Sequence, residues 1–262
     1  MEKILLWEND APGYTESGHI PYLTYHEPKI ERESYTAVVI CPGGAYAHRS
    51  AHEGDGYAEF LSALGIAAFT LEYRVAPTRF PYPLLDARRA IRYVRASSEK
   101  YKVDRVLIMG SSAGGHLAAL TSTYTAAIDG EGVDAIDYKD FMPDAQILCY
   151  PVTDITSHRG SYRNLLGELA DGIADGLDPI KLATADTPEA FIWHTVNDAT
   201  VDVKGTYRFA ARLAELGVPH ELHVFPDGLH GIGLALEGYC KNPHVSSWAG
   251  MLENWLRYRK FI

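Results

Sequence analysis

The 262-residue sequence predicts an α/β fold, in which strands and helices alternate along the chain around one sheet. Short runs rich in β-branched and aromatic residues alternate with longer stretches in which apolar residues recur at helical spacing. The short runs are almost continuously apolar, which is typical of parallel strands that are covered on both faces. Together these two observations indicate a mostly parallel sheet between layers of helices.

Six apolar runs are expected to form the core strands. They are Thr36–Cys41, Ile66–Glu72, Arg105–Gly110, Ala145–Pro151, Ala190–Thr195 and Glu221–Phe225. Two further segments near the N-terminus, Lys3–Trp7 and His19–Tyr25, are expected to pair as additional strands at one edge of the sheet.

Five stretches between these runs have helical spacing. They are Glu53–Leu64, Leu84–Lys100, Ala113–Thr125, Val203–Leu216 and Ser246–Tyr258. The second is the most clearly amphipathic, because its apolar residues share one side and its arginines lie elsewhere. These arginines are Arg88, Arg89, Arg92 and Arg95. On an acidic protein we interpret them as a solvated helix face rather than as a stripe that binds nucleic acid.

The segment from Thr153 to Pro188 interrupts this alternation. It is much longer than the usual connection between core strands, and its helical pattern is confined to a patch near Tyr162–Leu169. We expect it to form a small lid. No internal repeat or linker is evident, so we expect one domain over residues 1–262 with 153–188 as an insertion.

Composition narrows the class of partner and the compartment. The formal net charge of −10 argues against nucleic acid and anionic membranes as partners. The apolar run Ile4–Trp7 is too short for a signal peptide, and no stretch approaches the roughly 20 apolar residues of a membrane span. The scattered cysteines Cys41, Cys149 and Cys240 have no metal-like spacing. We therefore expect a cytoplasmic protein with reduced thiols.

The most informative motif is Gly-x-Ser-x-Gly at residues 110–114, which follows a predicted strand and opens a predicted helix. In this strand–turn–helix context Ser112 is expected to hold a strained backbone that exposes its hydroxyl above the sheet. Glycines at 110 and 114 avoid a clash where strand and helix nearly meet. The alternative is a serine that caps the helix, with glycines for close packing. Ser111 lacks flanking glycines at this spacing.

A serine nucleophile needs a base that is oriented by a third group, and in this architecture the chain order is serine, acid, histidine. His230 lies in a glycine-rich loop after the last predicted strand, and Asp198 follows the preceding strand. His194 could line the cleft but precedes the best acid. Alternatives for the acid are Asp202, which better suits a helix cap, Asp227, which is too close in sequence to His230, and Asp154.

The loop after the first core strand, Ile40–Tyr46, contains Gly43 and Gly44. Consecutive glycines let backbone amides turn toward a ligand, so we expect Gly44, Ala45 and Ala113 to donate to an oxyanion. A nucleotide phosphate loop is disfavoured, since there is no third glycine at the required offset and no Gly-Lys-Ser/Thr follows. A metal site at His48, His52 and Glu53 fits no standard signature, and solvated helix residues are the alternative.

Seven segments along the chain carry a family resemblance: Cys41–Tyr46, Leu71–Pro77, Phe80–Arg95, Gly110–Ala119, Tyr150–Val152, Phe191–Val201 and Gly228–Ala235. In this order they resemble the α/β-hydrolase esterases with a Gly-Gly oxyanion loop, in particular the small carbohydrate acetyl esterases of the acetylxylan esterase-like type. The resemblance implies that Ser112 is the nucleophile, Asp198 the acid and His230 the base, with Gly44 and Ala113 as oxyanion donors. Pro42 departs from the family, because many relatives have histidine before the glycines.

The resemblance implies an α/β-hydrolase fold and a serine carboxylesterase that acts on short acyl esters of carbohydrates, such as acetylated xylan, without metal or cofactor. The expected partner is a small ester substrate, and a homo-oligomer is left open. The aromatic residues Tyr46, Tyr73, Tyr150 and Trp193 are expected to line the cleft, and the alternative is that they are core residues, in particular Tyr150 and Trp193 at the ends of strands. The alternatives are a serine peptidase of the prolyl-oligopeptidase type and a non-catalytic binding module.

Overall fold

The computed structural model describes residues 2–14, 19–167, 173–236 and 240–262. The expectation of helix at Leu169 therefore lies outside the described residues. Within them the strands are β1 (Glu2–Leu5), β2 (Tyr22–His26), β3 (Tyr35–Cys41), β4 (Ala67–Glu72), β5 (Val103–Ser111), β6 (Ala145–Cys149), β7 (Glu189–Thr195) and β8 (His220–Phe225). All six predicted core strands are present, with ends that differ by one or two residues from the expected bounds.

These strands form one eight-stranded sheet in the order β1-β2-β4-β3-β5-β6-β7-β8. The six strands from β4 to β8 in this order are parallel, and β1 and β2 pair antiparallel at one edge. This confirms the predicted α/β class and the extra edge strands. Both edge strands are shorter than expected, because β1 ends at Leu5 and β2 begins at Tyr22.

The described helices are α1 (Ala51–Ala63), α2 (Tyr82–Ala96), α3 (Ser98–Tyr101), α4 (Ser112–Thr123), α5 (Arg159–Leu166), α6 (Pro179–Leu182), α7 (Val203–Glu215) and α8 (Trp248–Tyr258). The single helix expected over 84–100 is divided at Ser97 into α2 and α3. None of the helices in the described ranges is long and apolar enough to cross a membrane.

Alternating residues of the central strands pack against helices on opposite faces of the sheet. In β3, Val39 belongs to the apolar cluster that includes residues of α2, α4 and α7, whereas Val38 and Ile40 belong to the cluster with α1 and α8. β3 is therefore covered on both faces, which explains why this strand is nearly continuous in apolar residues. The segments that contain Ser112, Asp198 and His230 follow the carboxyl ends of β5, β7 and β8.

The arginines of α2 are not a solvated face, so that expectation is wrong. Arg88 and Arg89 are only 0–1% exposed. Arg88 and Arg92 pair with Glu131, and Arg89 pairs with Asp137 at 2.9 Å. The connection between α4 and β6 crosses α2 and supplies these carboxylates, so the arginines bind this connection to the helix. A buried arginine is tolerated where its charge is paired with a carboxylate, as it is for Arg88 and Arg89.

Candidate active site

Ser112 lies at the junction of β5 and α4 with a φ of +53°, in the left-handed region that a non-glycine residue adopts only under constraint. A Cβ at Gly110 would collide with the carbonyl of Gly114, and one at Gly114 would collide with the carbonyl of Cys41. The two glycines therefore permit the close approach of strand and helix that the sequence predicts.

Ser112, His230 and Asp198 form a hydrogen-bonded chain. The Ser112 Oγ lies 2.8 Å from Nε2 of His230, and Nδ1 of His230 lies 2.6 Å from Oδ2 of Asp198. Because a carboxylate only accepts, Nδ1 carries the proton of the neutral imidazole, and Nε2 is left to accept from the serine hydroxyl. The structure thus brings together the three residues that the sequence selected from loops after β5, β7 and β8.

The Asp198 side chain is fully buried and every oxygen has donors. Its Oδ1 accepts from the amides of Thr200 at 2.8 Å and Val201 at 2.9 Å, while Oδ2 faces His194 and His230. Burial alone would raise the pKa of Asp198. The hydrogen bonds from His194, His230 and the Val201 amide, together with the charge of His230, instead hold this pKa well below its usual range.

His194 is not in the wall of a cleft, since it is completely buried. Its Nδ1 lies 2.7 Å from the hydroxyl of Thr206, and its Nε2 lies 3.2 Å from both Asp198 and the carbonyl of Val201. With two acceptors around Nε2, the proton lies there, and Nδ1 accepts from Thr206. His194 therefore holds Asp198 in place, a contact that sequence reasoning missed although the four-residue separation is visible in the sequence.

The loop from Gly43 to His48 lies directly against Ser112. A Cβ at Gly43 would come within 3.1 Å of the Ser112 Cβ, and Gly44 has a φ of +134°. Within the described ranges the amides of Gly44 and Ala45 donate to no protein acceptor. The amide of Ala113 lies in the first turn of α4, where amides have no partner within the helix. These are the three amides that the sequence selects as oxyanion donors.

Tyr46, Tyr73, Tyr150 and Trp193 differ from expectation, because all four are only 0–1% exposed. They lie beneath the loops rather than in a cleft wall. Tyr73 donates to the carbonyl of Pro42 at 2.6 Å, and the Tyr46 hydroxyl lies 2.8 Å from Nδ1 of His116. Trp193 stacks on Trp248 in the core. The four rings are part of the buried clusters on the two faces of the sheet, as the alternative interpretation of them as core residues expects.

Glu53 is also buried, at 2% exposed, so interpreting it as a solvated helix residue is wrong. Its carboxylate accepts from the Gly43 amide and from the Tyr150 hydroxyl. His52, beside it, lies 2.8 Å from the carbonyl of Gly231 through its Nε2. In the part of the chain that the structure describes, no group of three or more histidine, cysteine or acidic side chains could hold a metal ion.

The insertion contacts the Gly43–His48 loop through α5. The Asn164 side-chain amide donates to the carbonyl of Ala45 at 2.8 Å, and the Phe80 amide donates to the carbonyl of Leu165. His158, just before α5, has a pKa lowered by burial and then by the nearby charge of His230. This part of the insertion is thus bonded to the site, a role that nothing in the sequence pattern around Asn164 signals.

The sheet order, the turn at Ser112 and the two-sided cover of helices define the α/β-hydrolase fold. Residues 23–213 match the family model BD-FAE, and the chain belongs to that family. An acetyl ester-xyloside bifunctional hydrolase from Caldicellulosiruptor lactoaceticus has a similar structure. The two share a TM-score of 0.92 and 38% sequence identity over 100% of this chain and 97% of the other.

Two curated relatives are similar in sequence. Endo-1,4-beta-xylanase B of Butyrivibrio fibrisolvens is 32% identical over an alignment of length 257 that covers 94% of this chain and 39% of that protein. Acetylxylan esterase of Xylanibacter ruminicola is 31% identical over an alignment of length 216 that covers 78% of this chain and 42% of that protein. The chain thus spans about two fifths of the length of these relatives.

Proposed function

We propose that this protein is a serine carboxylesterase that hydrolyses short acyl esters, acetyl esters in particular, on carbohydrates such as acetylated xylo-oligosaccharides. The observation that carries the proposal is the hydrogen-bonded chain Ser112–His230–Asp198 beside a loop whose amides at Gly44 and Ala45 have no described protein acceptor. The names of the similar proteins, an acetylxylan esterase and an acetyl ester-xyloside hydrolase, support the substrate class.

The reaction would take two steps. His230 Nε2 accepts the Ser112 proton as Oγ attacks the ester carbonyl, and the amides of Gly44, Ala45 and Ala113 stabilise the negative oxygen of the tetrahedral intermediate. The intermediate collapses to an acyl-serine while protonated His230 delivers its proton to the leaving alcohol. Water then attacks the acyl-serine with the same base, and the acid is released.

Asp198 orients His230 and stabilises its protonated form. The depressed pKa of Asp198 keeps the carboxylate charged throughout the cycle, so the proton on Nδ1 stays on the imidazole. His230 becomes positively charged when it takes the serine proton. The buried Asp198 carboxylate, whose Oδ2 lies 2.6 Å from Nδ1 of His230, stabilises this positive charge without rearrangement.

A short acyl group on a neutral sugar fits the surroundings of the site. The acidic balance of the chain disfavours polyanionic substrates, and the insertion that contacts the Gly43–His48 loop through α5 is short for the large apolar lid that a long acyl chain would require. A serine peptidase or a binding module on the same fold would differ in measurable ways, which the next experiment separates.

The test compares p-nitrophenyl acetate, butyrate and octanoate, followed by acetylated xylo-oligosaccharides and a proline-containing peptide amide. We expect the acetate to have the highest kcat/KM of the three aryl esters, and acetate release from the oligosaccharides. Faster cleavage of the peptide amide would support the peptidase instead. Absence of any turnover, together with binding of the oligosaccharide, would support the binding module.

A further inference from the structure

A carboxylate lies buried beneath the proposed oxyanion loop without a cationic partner. Glu53 is 2% exposed, and in the described ranges no lysine, arginine or histidine pairs with it. Its Oε2 accepts from the Gly43 amide at 2.8 Å and its Oε1 accepts from the Tyr150 hydroxyl at 2.6 Å. An unpaired buried carboxylate is unfavourable for folding unless donors satisfy it, so its presence here calls for a reason connected to those donors.

The donors form a chain with one direction. With Glu53 as a carboxylate, the single Tyr150 proton goes to Oε1. Tyr57, whose hydroxyl is 3.1 Å from that of Tyr150, must then donate to Tyr150, and Ser111 donates to Tyr57 at 3.1 Å. The hydroxyl of Tyr150 also accepts from the Gly233 amide at 3.1 Å. Burial raises the pKa of both tyrosines, so their hydroxyls remain donors at neutral pH.

This network reaches three segments of the site, namely the oxyanion loop, the turn at Ser112 and the loop of His230. Gly43 precedes Gly44 in the oxyanion loop, Ser111 precedes Ser112, and Gly233 follows His230 by three residues. Glu53 is the terminal acceptor of the network, and within the described ranges it is the only side chain of the network that forms a hydrogen bond with the oxyanion loop. A substitution of Glu53 should therefore act most directly on the Gly43 amide.

The loop needs such a restraint because its glycines are free to rotate. Gly43 must lack a side chain, since a Cβ would meet Ser112 and the carboxylate of Glu53. A glycine samples more backbone conformations than any other residue, and this freedom would let the amides of Gly44 and Ala45 point in several directions. Fixing the Gly43 N–H on a buried acceptor limits that rotation.

We propose that Glu53 is a positioning residue for the esterase reaction: by holding the Gly43 amide and Tyr150, it orients the amides of Gly44 and Ala45 toward the oxyanion. This inference rests on the proposed function. Glu53 does not touch the reacting atoms, so its effect should fall on the stabilisation of the tetrahedral intermediate and not on substrate binding.

Glu53→Gln tests this with almost no change in volume. Glutamine has one acceptor oxygen and one NH₂ donor, so it cannot accept from both Gly43 and Tyr150 in their present directions. With p-nitrophenyl acetate we expect kcat to fall by about 10- to 100-fold, which is below the ~10²–10³ that follows from losing one oxyanion donor outright. KM should stay within about threefold, because binding of the ground state is unaffected.

Two further readouts separate positioning from a merely structural role. Inhibition by a phenylboronic acid, which forms a tetrahedral adduct with an active-site serine, should weaken in parallel with kcat. The acid limb of the pH profile of kcat/KM should stay where it is, since His230 and Asp198 keep their contacts. As a matched control, Asp137→Asn removes another buried carboxylate, one that pairs with Arg89 away from the site, and should lower the Tm while kcat is unchanged.

Tyr150→Phe provides the test if Glu53→Gln does not fold, because it removes the central hydroxyl and leaves Glu53 in place; kcat should fall with KM again nearly unchanged. The inference is overturned if the folded variant keeps kcat and boronic acid affinity within about twofold of the unmodified protein. It is also overturned if Glu53→Gln and Tyr150→Phe both lower the Tm and leave kcat unchanged, as the Asp137→Asn control is expected to do. Ser112→Ala distinguishes the two proposals: if it remains active, the proposed function fails, whereas an inactive Ser112→Ala beside a fully active Glu53→Gln removes only this inference.

Discussion

Replacing Asp198 with asparagine changes one atom of the site and reverses a hydrogen bond. Two backbone amides donate to Oδ1, so the asparagine carbonyl should take that place. Its NH₂ group would then face the Nε2–H of His194 and the Nδ1–H of His230, and donors would oppose donors. His230 can escape this conflict by moving its proton to Nε2, where it can no longer accept from Ser112.

The cost can be worked from this change of tautomer. In serine hydrolases with the same arrangement, the change from carboxylate to amide lowers kcat by about 10⁴ while the geometry is retained. At about 1.36 kcal/mol for each factor of ten, this is about 5 kcal/mol of lost transition-state stabilisation. We expect the full loss of kcat here, because the Asp198 side chain is buried and is not in contact with solvent water that could replace the lost acceptor.

The assay is steady-state hydrolysis of p-nitrophenyl acetate by Asp198→Asn, with circular dichroism to confirm folding. Asp202→Asn is the matched control, since Asp202 caps α7 through the Lys204 amide and its kcat should be unchanged. A kcat for Asp198→Asn within about tenfold of the unmodified protein would refute the reasoning on tautomers.

Three further outcomes follow from the contacts of the site. Asn164→Ala removes the hydrogen bond to Ala45, worth about 0.5–1.5 kcal/mol, and should lower kcat/KM on p-nitrophenyl acetate by about 2- to 12-fold; an unchanged value would show that α5 does not hold the loop. The depressed pKa of Asp198 contributes stability that is complete above the ordinary carboxyl pKa of about 3.9 and is lost as the pH falls below that value. The Tm of the unmodified protein should therefore fall more steeply from pH 5 to pH 2 than the Tm of Asp198→Asn. Equal slopes of Tm against pH would contradict this. Gly114→Ala forces a Cβ against the carbonyl of Cys41 and should lower the free energy of unfolding in urea by about 3 kcal/mol or more, whereas a loss below about 1 kcal/mol would show that the turn can relax.

The fold and the three hydrogen-bonded residues of the site were accessible from the sequence because each rests on a local pattern. Apolar runs identify β3 to β8, since parallel strands bury both faces. Gly-x-Ser-x-Gly fixes the turn at Ser112, because only glycine fits at 110 and 114. His230 and Asp198 follow from their places after the last two strands, where parallel topology directs the loops to one edge of the sheet.

The supporting residues could not be predicted, because their partners are distant in sequence. Arg89 resembles a surface arginine until the connection between α4 and β6 brings Asp137 against it. Glu53 lies in a segment whose sequence is typical of a solvated helix. Only the fold places Gly43 and Tyr150 around its carboxylate. From the sequence, aromatic residues such as Trp193 suit a cleft or a core equally well. Only the structure shows that Trp193 is buried in the core.

The most direct test of the account is whether Ser112 is the nucleophile. The unmodified protein and Ser112→Ala would be treated with a fluorophosphonate probe, the labelled residue located by mass spectrometry, and hydrolysis of p-nitrophenyl acetate measured on both. We expect the label on Ser112 alone and a loss of about 10⁴–10⁶ in kcat for Ser112→Ala. Labelling at another residue, or a Ser112→Ala protein that keeps its esterase activity, would contradict the account.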